Sequence, residues 1–211
     1  MASVGQVCTM ATKAVNRLVS SVENKGYCFV SELKSYDART YQHSLNVAGL
    51  SLAIGKEMRL KTEKLEQLGL CALLHDIGKT RLPISLINKT NPLTDNEYKV
   101  IKTHSEQGGN YLKEKNLQDA DILSGVLHHH EKFNGSGYPS GLMGDRIPLF
   151  SRIISIADVY DAVTSARPYR KPVPASEALD LIIFEVGHAF DYEIYKVLPT
   201  VVNPNKPNEF F

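Results

Sequence analysis

Apolar residues recur along most of this chain with the spacing of a helix face. Val4, Val7, Ala11, Ala14, Val15, Leu18 and Val22 form the first stripe, which Gly26 closes. A second helix is predicted over 37–54, with His43, Val47, Leu50 and Ile54 on one face. The run 65–77 is apolar enough for a buried helix and carries His75 and Asp76 inward, with Cys71 as packing. Pro83 and Pro92 bracket a connector. Thr94 and Glu97 have capping-box spacing and start a helix whose one side carries Tyr98, Ile101 and His104. Gly108 and Gly109 suit close backbone approach. A helix over 121–131 has a core face of Ile122, Leu123, Val126 and Leu127 that extends to His129 and His130. Residues 151–166 form another, with Asp161 on its buried stripe and Asp158 beside it. The last segment, 176–198, reads as one or two helices.

Between these elements lie two irregular stretches. Phe133 to Leu142, FNGSGYPSGL, is a glycine- and proline-rich loop in which Gly135 and Gly137 would let backbone N–H groups approach a ligand. The tail NPNKPNEFF is polar and frayed. The expected layout is an N-terminal helical extension or linker over 1–35, a main domain over 36–200 and a flexible tail over 201–211. The expected fold class is all-α.

Composition narrows the function classes. The 211 residues suffice for one large domain, and 43% hydrophobic with 22% charged content is ordinary for a globular protein. A formal net charge of +1 offers no field for a nucleic acid polymer or a membrane surface. No apolar run reaches the length of a membrane span, and the start lacks a signal-peptide pattern. Cys8, Cys28 and Cys71 are too widely spaced for a disulfide framework, which suits a reducing cytoplasm, the expected location.

The chemistry centres on LLHDIGK, Leu73 to Lys79. Histidine and carboxylate are common ligands for borderline divalent metals. Gly78 suits a left-handed helix-end position, and Lys79 just beyond it can reach an anion. A single histidine on an apolar stripe is more often a satisfied core residue than a ligand. Here, however, the candidates accumulate: His43, His75, Asp76, His104, His129, His130 and Asp158, with His128 a bystander. That set exceeds one tetrahedral ion and fits two metals sharing a carboxylate, the usual device for in-line phosphoryl chemistry. Lys79, Arg167 and Arg170 offer cations for phosphate oxygens. The residues alone therefore indicate a dinuclear metallophosphohydrolase on a helical scaffold.

The blocks HS at His43, LHDIGK at Leu73, LTDNEYKVIKTH ending at His104, HHEKFNGSGYP from His129 and ADVYDAVTSARPYR from Ala157 run in the order of the HD-GYP family, which the chain resembles over about residues 36–195. That resemblance implies an HD-domain helical bundle with an HD-GYP extension. It implies hydrolysis of cyclic di-GMP to pGpG or GMP, with two iron or manganese ions and a bridging hydroxide as nucleophile. It assigns His43, His75, Asp76 and Asp158 to one metal. His104, His129, His130 and the other oxygen of Asp76 go to the second. Lys79 would contact the scissile phosphate or assist the leaving group, and Arg167 and Arg170 would hold phosphate. Asp161 would act behind the ligands or on the substrate side, and Tyr138 would line the nucleotide pocket or a partner surface. Two departures stand out. Arg39 occupies the position of a glutamate that supports a third metal in some relatives; it disfavours a third ion and could contact phosphate instead. Asn134 replaces a frequent aspartate. The competing readings are a cyclic di-GMP sensor or interaction module docking diguanylate cyclase (GGDEF) proteins through the GYP loop, and a hydrolase of a related cyclic dinucleotide. A homodimer through the N-terminal helix is a further expectation.

Overall fold

The computed structural model describes Arg17 and residues 29–166 and 171–202. The predicted N-terminal stripe up to Val22, residues 167–170 and the tail from 203 lie outside the described residues. Among the described residues there are no strands, only two isolated bridges, Asn134 with Met143 and Val186 with Phe190. The helices are α1 (Phe29–Tyr36), α2 (Ala38–Glu57), α3 (Thr62–Leu74), α4 (Ile84–Ile87), α5 (Asp95–Lys102), α6 (His104–Glu114), α7 (Ala120–His128), α8 (Leu149–Thr164), α9 (Ala175–Phe184), α10 (Tyr192–Tyr195) and α11 (Leu198–Val201). Tight 3-10 turns occupy Ile77–Arg81 and Gly144–Arg146. No helix of the described residues is long and apolar enough to cross a membrane.

Helix α2 lies at the centre, packed on α3 and α8, while α7 packs on α3, α6 and α8. Its start is fixed by Asp37, whose Oδ2 accepts the Thr40 amide at 2.8 Å, satisfying an otherwise orphaned N–H. Asp119 caps α7 by accepting from the amides of Asp121 and Ile122. The core between these helices is continuous and includes Val47, Ile54, Leu68, Leu73, Leu74, Ile77, Val126, Ile153, Ile154 and Ile156. Phe29, Val30 and Leu33 of α1 are buried in that same core, upstream of the boundary at 36 expected from sequence.

Several helix ends differ from the sequence expectation, and each difference places a histidine. Helix α3 stops at Leu74, not at residue 77, so His75 is its C-cap and Asp76 leaves the helical region at φ −98, ψ 7. The helix capped by the Thr94–Glu97 box does not run through His104; it breaks at Thr103, and His104 opens α6. Helix α7 ends at His128, which leaves His129 and His130 just beyond it, not inside a helix to 131. The C-terminal segment is three short helices, with Asp191 accepting the Glu193 amide to cap α10.

Gly78 is also not the left-handed helix end the sequence suggested. It lies within the 3-10 turn and has no positive φ. A side chain there would run into the His104 carbonyl and the Gly108 amide, so the glycine is required by close backbone approach of the turn to α6. Gly108 meets Gly78 in return, whereas a Cβ at Gly109 would make only ordinary contact at 4.0 Å with Leu127.

Candidate metal centre

Five helices bring all of the predicted ligands together. His43 comes from the second turn of α2 and Asp158 from α8. His75 and Asp76 come from the end of α3, His104 from the start of α6, and His129 and His130 from the end of α7. Their donor atoms form overlapping groups, each within 4.8 Å: His43, His75 and Asp158; His75, Asp76 and His129; and His104, His129 and His130.

Asp76 stands between the outer groups. Its Oδ2 lies 3.3 Å from His75 Nε2 and 3.9 Å from His43 Nε2, while its Oδ1 lies 3.3 Å from His104 Nε2. His43 Nε2 is 3.0 Å from Asp158 Oδ1. His104 Nε2 lies 3.3 Å from His129 Nε2 and 3.2 Å from His130 Nε2.

The hydrogen bonds behind the rings settle which nitrogen faces inward. The Nδ1 atoms of His75, His104 and His129 each lie 2.7 Å from the carbonyl three residues earlier, Ala72, Ile101 and Val126. A carbonyl only accepts, so each Nδ1 carries the proton and each Nε2 presents its lone pair to the cluster. Lone pairs of His104 and His129 then face each other, an arrangement that a cation relieves. His75 Nε2 and Asp76 Oδ1 are buried side-chain atoms with no hydrogen-bond partner. Buried polar atoms of this kind are rare unless something binds them. The donors are imidazole and carboxylate, the set that suits divalent zinc, iron or manganese, and they fit a metal centre.

Electrostatics favour the ligating forms of His104, His129, His130 and Asp76. Burial pushes the His129 imidazole well below its usual range, with the neighbouring histidines adding to the effect. Burial, with His104 next, lowers His130 to about 3, and burial lowers His104 as well. Burial opposes ionisation of Asp76, but the Lys79 charge and the surrounding histidines outweigh it and hold this carboxyl well below the ordinary carboxylate range. Lys79 Nζ donates to Asp76 Oδ2 at 2.5 Å. For His43, burial is outweighed by hydrogen bonds to Asp158 and Asp161 and by the charges of Asp158 and Asp76, which raise it to about 9 and favour its protonated form.

Asp161 lies behind His43. Its Oδ2 accepts from His43 Nδ1 at 2.5 Å, and its Oδ1 accepts from Asn46 Nδ2 and Ser165 Oγ, both at 2.9 Å. A carboxylate held in this way fixes the tautomer and direction of an imidazole ligand. Asn46 and Ser165 had drawn no attention in the sequence.

The loop after His130 is built on a residue also missed there. Glu131 is buried, and its two carboxylate oxygens accept the amides of Ser140 at 2.7 Å and Leu142 at 3.1 Å. Gly137 packs so tightly on the Glu131–Lys132 backbone that a side chain would collide with it. Gly135, at φ +82, donates its N–H to the Lys132 carbonyl at 2.7 Å, so that amide serves the loop and not a ligand. Asn134 Oδ1 accepts from Ser136 N and Oγ, a turn that aspartate would also make. The loop sets the Tyr138 ring on His130, with centroids 4.9 Å apart and planes 29° from parallel. His128 turns away, its Nδ1 donating to the Ser124 carbonyl at 2.9 Å.

Arg39 does not face the cluster. Its side chain is 57% exposed, and its guanidinium donates to Asn88 Oδ1 and lies 3.9 Å from Asp37. The i, i+4 relation to His43 gives a shared helix face, but the long side chain leaves it for the 84–88 segment. Arg167 and Arg170 lie outside the described residues.

Residues 28–194 match the HD domain family model. Over 194 residues the chain is 36% identical to a protein from Pseudomonas aeruginosa named as a cyclic di-GMP phosphodiesterase, covering 91% of this chain and 47% of that one. It is 38% identical over 160 residues to 3'3'-cGAMP-specific phosphodiesterase 1 of Vibrio cholerae, covering 75% and 37%. The chain thus spans less than half the length of these relatives. Its fold is similar to that of an HDG"Y"P protein from Bdellovibrio bacteriovorus, with TM-score 0.65 at 21% identity over 94% of this chain and 71% of the other.

Proposed function

The chain belongs to the HD domain family, with HD-GYP phosphodiesterases among its relatives, and from that premise we propose that it is a metal-dependent phosphodiesterase of cyclic dinucleotides, cyclic di-GMP first among them. The observation that carries this reading is the ring of inward-facing Nε2 lone pairs around Asp76, whose two oxygens serve opposite sides of the cluster. Divalent ions held there, iron or manganese by the family's habit, would supply Lewis-acid charge and acidify an attacking water.

The protein's own residues do the rest. His43, His75, Asp158 and one oxygen of Asp76 would hold one ion; His104, His129, His130 and the other oxygen would hold the second. Asp161 keeps His43 aimed, and the three backbone carbonyls keep His75, His104 and His129 in the ligating tautomer. Lys79 would balance Asp76 and, when phosphate arrives, offer N–H donors to its oxygens. Tyr138 stacks on His130 and, with burial holding its hydroxyl protonated, would serve as a neutral donor and contact surface. Arg167 and Arg170 are proposed as phosphate clamps. Two metals are proposed, since position 39 offers no carboxylate. The catalytic unit is proposed to begin no later than Phe29.

The relatives named for 3'3'-cGAMP support a second substrate of the same class. Product analysis by chromatography, after anaerobic loading with Fe(II) or Mn(II), separates the alternatives. Cyclic di-GMP should yield pGpG or GMP. Binding without turnover in fully loaded protein would favour the sensor and docking reading.

A further inference from the structure

Lys102 has a setting that the metal centre does not account for. It ends α5, two residues before His104, and is half-buried. Its Nζ lies 4.7 Å from the centre of the Tyr98 ring and 4.9 Å from the centre of the Tyr138 ring. Tyr138 in turn stacks on His130 at 4.9 Å, so the ammonium is joined to the metal cluster through one aromatic ring. Lys79 and Lys89, by contrast, are paired, with Asp76 and Glu97. Lys102 has no carboxylate and no hydrogen-bond acceptor among the described residues.

Ring faces attract an ammonium. They do not cancel its charge or use its three N–H donors as a carboxylate would. Two rings therefore hold Lys102 in place and leave it ready for an anion. A cyclic dinucleotide carries two phosphodiesters on opposite sides of its ring. Only one can lie over the histidine–Asp76 cluster at a time, so the other must rest outside it, where it needs a cation that no metal ligand supplies.

We propose that Lys102, held between Tyr98 and Tyr138, binds the phosphate of the cyclic dinucleotide that is not being hydrolysed. The inference rests on the cyclic dinucleotide reading above. It makes Lys102 a substrate-binding residue that selects for a second phosphate and is indifferent to the bases.

Steady-state kinetics of Lys102→Met and Lys102→Arg, in the metal-loaded full chain, test it with three substrates: cyclic di-GMP, 3'3'-cGAMP and bis(p-nitrophenyl) phosphate, which has a single diester. The methionine variant should raise KM for both cyclic dinucleotides about ten- to hundredfold, the range for a lost charged hydrogen bond. Arginine should restore most of the loss, and hydrolysis of the single diester should stay within about twofold of wild type. Unchanged KM would overturn the proposal. So would a loss confined to one cyclic dinucleotide, which would mean base recognition, or an equal loss on the single diester, which would mean damage to the metal centre. Wild-type protein that turns over the single diester but neither cyclic dinucleotide would sink the parent reading and this one with it.

Discussion

Oδ1 of Asp76 lies 3.3 Å from Nε2 of His104, and it is the oxygen opposite the one facing His75. One carboxylate thus serves both halves of the cluster. Asp76→Asn keeps the shape, removes the charge and puts an amide donor toward one side. Metal content by elemental analysis should fall from two ions per chain to fewer than one, and diester hydrolysis to background. Retention of both ions would show that the carboxylate does not bridge.

Asp161 meets the cluster through His43, whose Nδ1 donates to its carboxylate. Asp161→Asn should weaken metal binding by about 10–100-fold, the usual effect of losing a carboxylate behind a histidine ligand. Competition with a chromophoric chelator would measure it. Activity should return at saturating metal, because every direct ligand remains. Loss that excess metal cannot rescue would place Asp161 in contact with substrate.

Glu131 satisfies two backbone amides of the loop that carries Tyr138. Glu131→Ala should cost about 1–3 kcal/mol for each amide left without a partner. Urea unfolding of metal-loaded protein should show a lower midpoint, and KM for cyclic di-GMP should rise as Tyr138 loses its support. An unchanged midpoint would mean that the loop stands without this carboxylate.

Gly78→Ala would place a methyl group against the His104 carbonyl and the Gly108 amide, both backbone atoms that cannot rotate away. Overpacking of this kind costs about 1–3 kcal/mol. Because His104 is itself in the cluster, metal affinity should fall with stability. A variant as stable as wild type and binding metal equally well would contradict the close approach of turn and helix.

The histidines were legible because they end apolar stripes, and the order of the HD, HHE, GYP and RPYR blocks carried the family resemblance. Helix ends were less legible. His75, His129 and His104 sit at breaks in the helices, where backbone geometry fixed by packing decides the last turn. Gly78 was misread for the same reason: sequence offers a general use for a glycine after a helix, while the contact that requires it comes from α6, far along the chain. Glu131, Asn46 and Ser165 carry no spacing signal, since a buried polar residue acquires its meaning from partners brought by the fold. Arg39 shows the converse. Helical periodicity gave the face of its Cα, but a long charged side chain is free to leave that face for Asn88 and Asp37.

Whether a two-ion diesterase is built around Asp76 is decided by one titration. Metal-free protein is titrated anaerobically with Mn(II), following bound metal by electron paramagnetic resonance and linear dinucleotide from cyclic di-GMP by chromatography. Hydrolysis should rise with the second equivalent and level off at two ions per chain. Full activity at one equivalent, or two tightly bound ions with no linear product, would contradict it.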